Sequence, residues 1–128
     1  MVVDSSIWIA HIRDNRTDTV LLFRTLLRSQ ALLVGDLTLL EILQGASNEA
    51  HSKSLEFELR RYQIVTMMDD RIAVLAARHS RTLRSFGNTP RKTVDLIIGT
   101  FCIAHGHELL HDECDFEPMH EHLGLRRA

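Results

Sequence analysis

Five carboxylates fall where an α/β chain does its chemistry. Asp4 closes the apolar opening "MVV". Glu41 lies in "LTLLEILQG", Asp95 near the start of "TVDLIIGTFCIA", and Asp112 and Asp115 follow "ELL" in "LLHDECDF". Each has a plainer role alone. Thr38-Leu-Leu-Glu41 has the spacing of a capping box, in which the glutamate reaches back to the N-cap amide. Asp95, in the turn begun by Thr93, would meet the positive end of its helix dipole. Asp112 would cap the last helix. The set needs more than caps. Carboxylates gathered at one sheet edge repel each other, and without a cation some would have to stay protonated. A hard divalent ion, Mg2+ or Mn2+, resolves this because it takes oxygen ligands and keeps several waters. An all-carboxylate site of this kind suits metal-assisted hydrolysis of a phosphodiester.

The elements that would position these acids are readable from periodicity and punctuation. Val2–Asp4 reads as a strand running into a helix near Ser6–Arg13, with Ser5 or Ser6 as N-cap. Thr19–Ser29 has helical apolar spacing, and Ala31–Gly35 is a buried apolar run of the strand kind. Thr38–Gln44 is a helix ended by Gly45 as a C-terminal glycine. A polar helix over Asn48–Tyr62 and a brief strand at Ile64–Thr66 follow. Asp69–Phe86 is a long helix, Gly87–Lys92 ("GNTPRK") a loop, and Thr93–His105 a helix apolar almost all round. A strand at Glu108–Leu110, a helix over Glu113–His122 and an edge strand at Leu125–Arg127 complete the chain. Strands alternating with helices predict a mainly parallel sheet with helices on both faces, and sites in such sheets form beyond the carboxyl ends of the strands.

Composition narrows the classes. At 128 residues the chain reads as one domain, 1–128, with 45% hydrophobic and 25% charged residues, which is ordinary for a folded protein. A net charge of −2 excludes nucleic-acid binding by overall charge and demands a local basic patch. That patch exists. From Arg71 to Val94 there is no acid, and Arg78, Arg81 and Arg84 share a helical face leading to Arg91 and Lys92, so these five are candidate contacts to nucleic-acid phosphates. Two cysteines, Cys102 and Cys114, give no disulfide framework. The opening lacks a basic flank and no apolar run is long enough to span a bilayer, so no membrane contact and a cytoplasmic location are expected. His105, His107, His111, His120 and His122 lack zinc-ligand spacing and read as surface or helix-end residues. Trp8, Phe101 and Phe116 read as core or cleft-edge aromatics, so no base-stacking platform is expected. Phosphate loops of the G-x-x-x-x-G-K and G-x-G-x-x-G kinds are absent.

"VVDSSIWIAHIRD", "LTLLEILQG", "TVDLIIGTFCIAHGHELLHDECDF" and "HLGLR" resemble a PIN domain, and within that family the VapC-type ribonuclease toxins of toxin–antitoxin modules. The resemblance spans nearly the whole chain. It implies a PIN-like three-layer sandwich around a five-stranded parallel sheet, and a Mg2+- or Mn2+-dependent endoribonuclease acting on transfer or ribosomal RNA. It also implies a cognate VapB antitoxin, with a homodimer or a toxin–antitoxin hetero-oligomer. Matched position by position, the acids are Asp4, Glu41, Asp95 and Asp115, the last before Phe116 as the family's aspartate–phenylalanine pair requires, with Asp112 as a helper. Asp4, Asp95, Asp115 and Asp112 would hold metal. Glu41 would complete the shell or orient the attacking water. Ser6 and Thr93 match small hydroxyl positions that orient a carboxylate or a metal-bound water. Trp8, Ile9 and Ile12, with Leu39 and Leu43, would form part of a groove for an antitoxin helix or of a dimer face. The alternatives are a PIN-fold nuclease of RNA maturation or DNA, and an inactive PIN-like binding module.

Overall fold

In the computed structural model, which describes all residues from 1 to 128, the apolar pair Val2–Val3 forms β1, with both side chains out of water. The helix α1 (Ser5–Ile12) starts immediately, and its N-cap is Asp4 rather than either serine expected from the sequence. Next come α2 (Asp18–Leu26), β2 (Leu33–Gly35), α3 (Asp36–Gln44), α4 (Glu49–Leu59) and β3 (Gln63–Val65). Thr17 and Asn48 cap α2 and α4 through their side chains, accepting from the N–H groups of Val20 and His51. The remainder holds α5 (Asp70–Ser85), α6 (Thr93–His105), β4 (Glu108–Leu110), a 3-10 turn at Cys114–Phe116, α7 (Glu117–Leu123) and β5 (Arg126–Arg127).

The strands form one five-stranded sheet in the order β3-β2-β1-β4-β5. Its pairs β1–β2, β2–β3 and β4–β5 are parallel, with Val2 opposite Leu33, Leu33 opposite Gln63, and Glu108 opposite Arg126. This is the α/β fold the alternation predicts.

The chain divides into two compact units, Met1–Thr66 with Leu110–Asp112, and Met67–Leu109 with Glu113–Ala128. The first is built around Val2, Val3, Ile7, Val20, Phe23, Val34 and Leu59, all almost fully buried. Trp8 meets Phe23 and Tyr62 edge-on, with ring centroids 4.9 and 5.2 Å apart. Each such side chain contributes about 1.5–3 kcal/mol through burial. In the second unit α5 lays Ile72, Ala76, His79 and Leu83 against α6, whose residues from Asp95 to Cys102 are buried.

Two local expectations change. Helix α3 begins at Asp36, so Thr38 lies buried inside it, and Gly35 caps it with no side-chain bond. The Thr38–Glu41 capping box therefore does not form. Gly45 does end α3 as its C-cap, as expected, but at φ −86°, a conformation open to any residue, rather than a left-handed one. The last helix starts only at Glu117, after the 3-10 turn, with Pro118 in its first turn where a missing N–H costs nothing. No helix is long and apolar enough to cross a membrane.

Candidate active site

Two adjacent parallel strands of the first unit end in acids, Asp4 after β1 and Asp36 after β2. Asp4 is held by backbone and side chain. Its N–H donates to the Leu110 carbonyl at 2.9 Å. Its Oδ2 accepts from the Ser6 N–H at 3.2 Å and from the Ser6 hydroxyl at 2.6 Å. The residue is only 2% exposed, and Oδ1 is buried with no hydrogen-bond partner. The opening acid is thus a cap through one oxygen and an unsatisfied anion through the other. A buried oxygen in that state costs about 1–3 kcal/mol or more when charged. A hard cation is the partner its chemistry fits. Ser6 thus contacts the carboxylate through both its N–H and its hydroxyl.

Glu41 lies half-buried in the second turn of α3, and the capping role weighed for it has gone with the new helix start. Asp112 is exposed, and its Oδ1 accepts from the Thr19 hydroxyl at 2.6 Å, so it ties the exit of β4 to α2 rather than capping the last helix. Asp36 escaped the sequence reading. Its Oδ1 accepts from the Leu37 N–H at 2.9 Å. The signal for it was the same as for Asp4, an acid directly following a buried apolar run.

In the second unit Asp95 and Asp115 line one cleft of about 270 Å³, together with the whole loop from Gly87 to Lys92. Asp95 is the third residue of α6 and is 6% exposed. Asp115, on the 3-10 turn, keeps a partly open side chain, and the Arg91 Nε lies 3.9 Å from its Oδ1. The Met119 side chain of α7 seats against Gly99 of α6. A Cβ on Gly99, one turn beyond Asp95, would fall 2.4 Å from the Met119 Cε and 2.5 Å from its Sδ. Only a missing side chain lets Met119 sit there and form part of the cleft wall.

Arg91 and Lys92 line the cleft, whereas Arg78, Arg81 and Arg84 are exposed on α5 and do not. Thr93 is exposed at the first position of α6. In neither unit do three Asp, Glu, His or Cys side chains form a ready-made cluster of metal ligands. The histidines serve locally. His120 Nδ1 pairs with the Leu125 carbonyl at 2.8 Å, and Phe101 is flanked by a tilted His105 ring and a stacked His107 ring. Burial pushes the His107 imidazole below its ordinary value. Trp8, Phe101 and Phe116 are buried as expected, but an exposed aromatic was overlooked: Phe86 lies face to face with His122.

The first unit also carries an apolar groove. Ile9, Ile12, Ile42 and Leu55 line one hollow of about 250 Å³, and Trp8, Ile12, Leu55 and Tyr62 are among the residues lining another of about 420 Å³. Leu39 and Leu43, expected to contribute, do not line either, and α4 takes their place. Two histidines border the groove as hydrogen-bond acceptors. His11 Nδ1 accepts from Arg24 Nε–H at 3.1 Å, and His51 Nδ1 accepts from the Ser47 N–H at 3.0 Å.

Comparison with known proteins gives these features a context. The family model for the PIN domain matches residues 1–119. The chain is 25% identical over 130 residues to a protein named VapC ribonuclease Mb1587 from Mycobacterium bovis, covering all of this chain and 97% of that one. It matches Ribonuclease VapC11 from Mycobacterium tuberculosis to the same extent. Among solved structures, VapBC2 from Rickettsia felis bound to a DNA fragment from its promoter superposes with a TM-score of 0.77 at 14% identity, over 99% of this chain and 96% of that one. VapBC-1 from nontypeable Haemophilus influenzae superposes with a TM-score of 0.75 at 19% identity, over 99% and 95%.

Proposed function

The chain belongs to the PIN domain family, and from that premise we propose that it is the toxin of a toxin–antitoxin pair, a metal-dependent endoribonuclease that cuts transfer or ribosomal RNA. The observation that carries this reading is the cleft walled by Asp95 and Asp115 and rimmed by Arg91 and Lys92. Carboxylates and cations in one small cleft suit a phosphodiester, whose charge must be held while water attacks it. The full-length likeness to proteins named VapC ribonucleases supports the toxin assignment.

In this reading Asp4, Asp95 and Asp115 hold Mg2+ or Mn2+, with Asp112 an outer helper because Thr19 already engages it. The unpartnered Oδ1 of Asp4 and the all-oxygen donor set fit such an ion. The ion, when bound, lowers the pKa of water and neutralises charge on the leaving oxygen. The chain's own groups do the rest. Glu41 orients the attacking water and takes its proton. Ser6 fixes the Asp4 carboxylate, and Thr93 stands at the helix start beside Asp95. Arg91 and Lys92 hold the phosphate. The water oxygen bonds to phosphorus as the bond to the 3′ oxygen breaks, leaving 5′-phosphate and 3′-hydroxyl ends. Arg78, Arg81 and Arg84 guide more distant phosphates. A VapB-type antitoxin helix occupies the groove of α1, α3 and α4, and a homodimer or a hetero-oligomer with that antitoxin is the working assembly, in the cytoplasm.

Purified protein incubated with total cellular RNA tests the proposal. Discrete fragments are expected with Mg2+ or Mn2+, none with EDTA, and none from Asp95→Asn. Undiminished cleavage by Asp95→Asn, or no cleavage under any condition by protein that binds no Mn2+, would overturn it.

A further inference from the structure

A large apolar ring ordinarily gains by leaving water, yet Phe86 is 57% exposed. It is nonetheless held firmly. It is the C-cap of α5, and the turn beyond it is closed by two bonds, Gly87 N–H to the Arg84 carbonyl at 2.9 Å and Asn88 N–H to the Leu83 carbonyl at 2.9 Å. Gly87, at φ +82°, makes that closing pair possible, as left-handed glycines do at helix ends. The His122 imidazole on α7 lies against one face of the ring, with centroids 4.0 Å apart and planes 8° from parallel. The exposure of Phe86 therefore belongs to its edge and its other face. The next residue, Gly87, begins the loop that lines the Asp95–Asp115 cleft. The chain on the Phe86 side is cationic, with Arg84 just before the ring, Arg91 and Lys92 just after it, and no acid from Arg71 to Val94, while on the other side Glu121 Oε2 lies 3.7 Å from His122 Nε2.

A rigid, pre-stacked aromatic face at the rim of a basic cleft is what single-stranded nucleic acid uses to dock a base. We propose that the Phe86–His122 pair is a nucleobase platform, on whose outer face one unpaired base of the substrate stacks. The strand's phosphates run past Arg84, Arg91 and Lys92 into the cleft. This inference rests on the RNA-cleaving function proposed above and adds to it a recognition element for unpaired bases. Such a platform accepts any base, because every base has a π face, so it selects for unpaired RNA rather than for a sequence.

The test measures binding of a fluorescent oligoadenylate and of a matched strand carrying abasic positions, both to protein in the Asp95→Asn background so that neither strand is cut. Phe86→Ala is expected to weaken oligoadenylate binding by about 5- to 150-fold, the range that loss of one base–aromatic stack represents. It should leave the abasic strand unaffected, and Phe86→Trp should retain affinity. Unchanged oligoadenylate binding by Phe86→Ala, or an equal loss on both strands, would overturn the platform while leaving the nuclease standing. Failure of the parent Asp95→Asn protein to bind either strand, with no RNA cleavage by the unsubstituted protein, would overturn both.

Discussion

Asp4 carries two duties whose energies pull in opposite directions. As a cap it satisfies the Ser6 N–H, a role worth about 1 kcal/mol. As a buried anion with one unpartnered oxygen it costs stability, which a bound cation would return. Asparagine separates the two, because it caps as well as aspartate but carries no charge. Metal-free Asp4→Asn is therefore expected to unfold in denaturant at or above the midpoint of the unsubstituted protein, and Asp4→Ala, which loses the cap as well as the charge, to be about 1 kcal/mol less stable than Asp4→Asn. Both should lose Mn2+ binding by calorimetry and at least about a hundredfold in RNA cleavage, the scale on which a preorganised electrostatic group acts. A full Mn2+ isotherm from Asp4→Asn would leave the acid as a cap alone. The sequence exposed this residue because an acid between two apolar runs is a local anomaly. It hid the Phe86–His122 pair, whose partners are far apart along the chain and individually unremarkable.

Helices α5 and α6 are joined by a polar contact within an otherwise apolar seam. His79 Nδ1 lies 3.0 Å from the Thr100 hydroxyl, and both residues are buried. Burial, and then the neighbouring Arg78 charge, hold the imidazole below its ordinary value of 6.5. The sign follows directly. Above pH 6.5 the histidine is neutral folded and unfolded, and the seam has its full stability. As pH falls below 6.5 the unfolded chain takes up the proton first, so stability declines until the folded value is passed. Unfolding free energy measured in urea should thus fall from about pH 6.5 downward, with a slope from this group of at most about 1.4 kcal/mol per pH unit. His79→Gln should flatten that slope, and an unchanged profile would show that His79 is not its source. The apolar face of α5 was legible from spacing alone, His79 included. Helix starts were less so, because tertiary packing sets them: α3 begins at Asp36, directly off β2, and overrides the capping box written at Thr38 and Glu41.

Over the whole molecule, a net charge of −2 conceals a separation of charge along the chain. Arg71, Arg78, Arg81, Arg84, Arg91 and Lys92 are all exposed in the second unit, in a stretch without acids. The division into two units was not readable from the sequence, which shows no linker, but the charge bias was, because it needs only counting. If this stretch guides the substrate backbone, RNA affinity must depend on salt despite the negative total, since only local cations displace counterions. Each phosphate contact on a single strand contributes about −0.7 to the slope of log affinity against log salt. Arg91 already lies near Asp115, so its share should be the smaller one. The double substitution Arg81→Gln with Arg84→Gln, in the Asp95→Asn background, should therefore reduce the slope by about 1.4, measured by anisotropy across a KCl series. It should also weaken binding at low salt and matter little at high salt. A slope identical to the parent's would place the phosphate contacts elsewhere, and would leave α5 as a solvated helix whose only part in binding is to hold Phe86 and the loop that follows it.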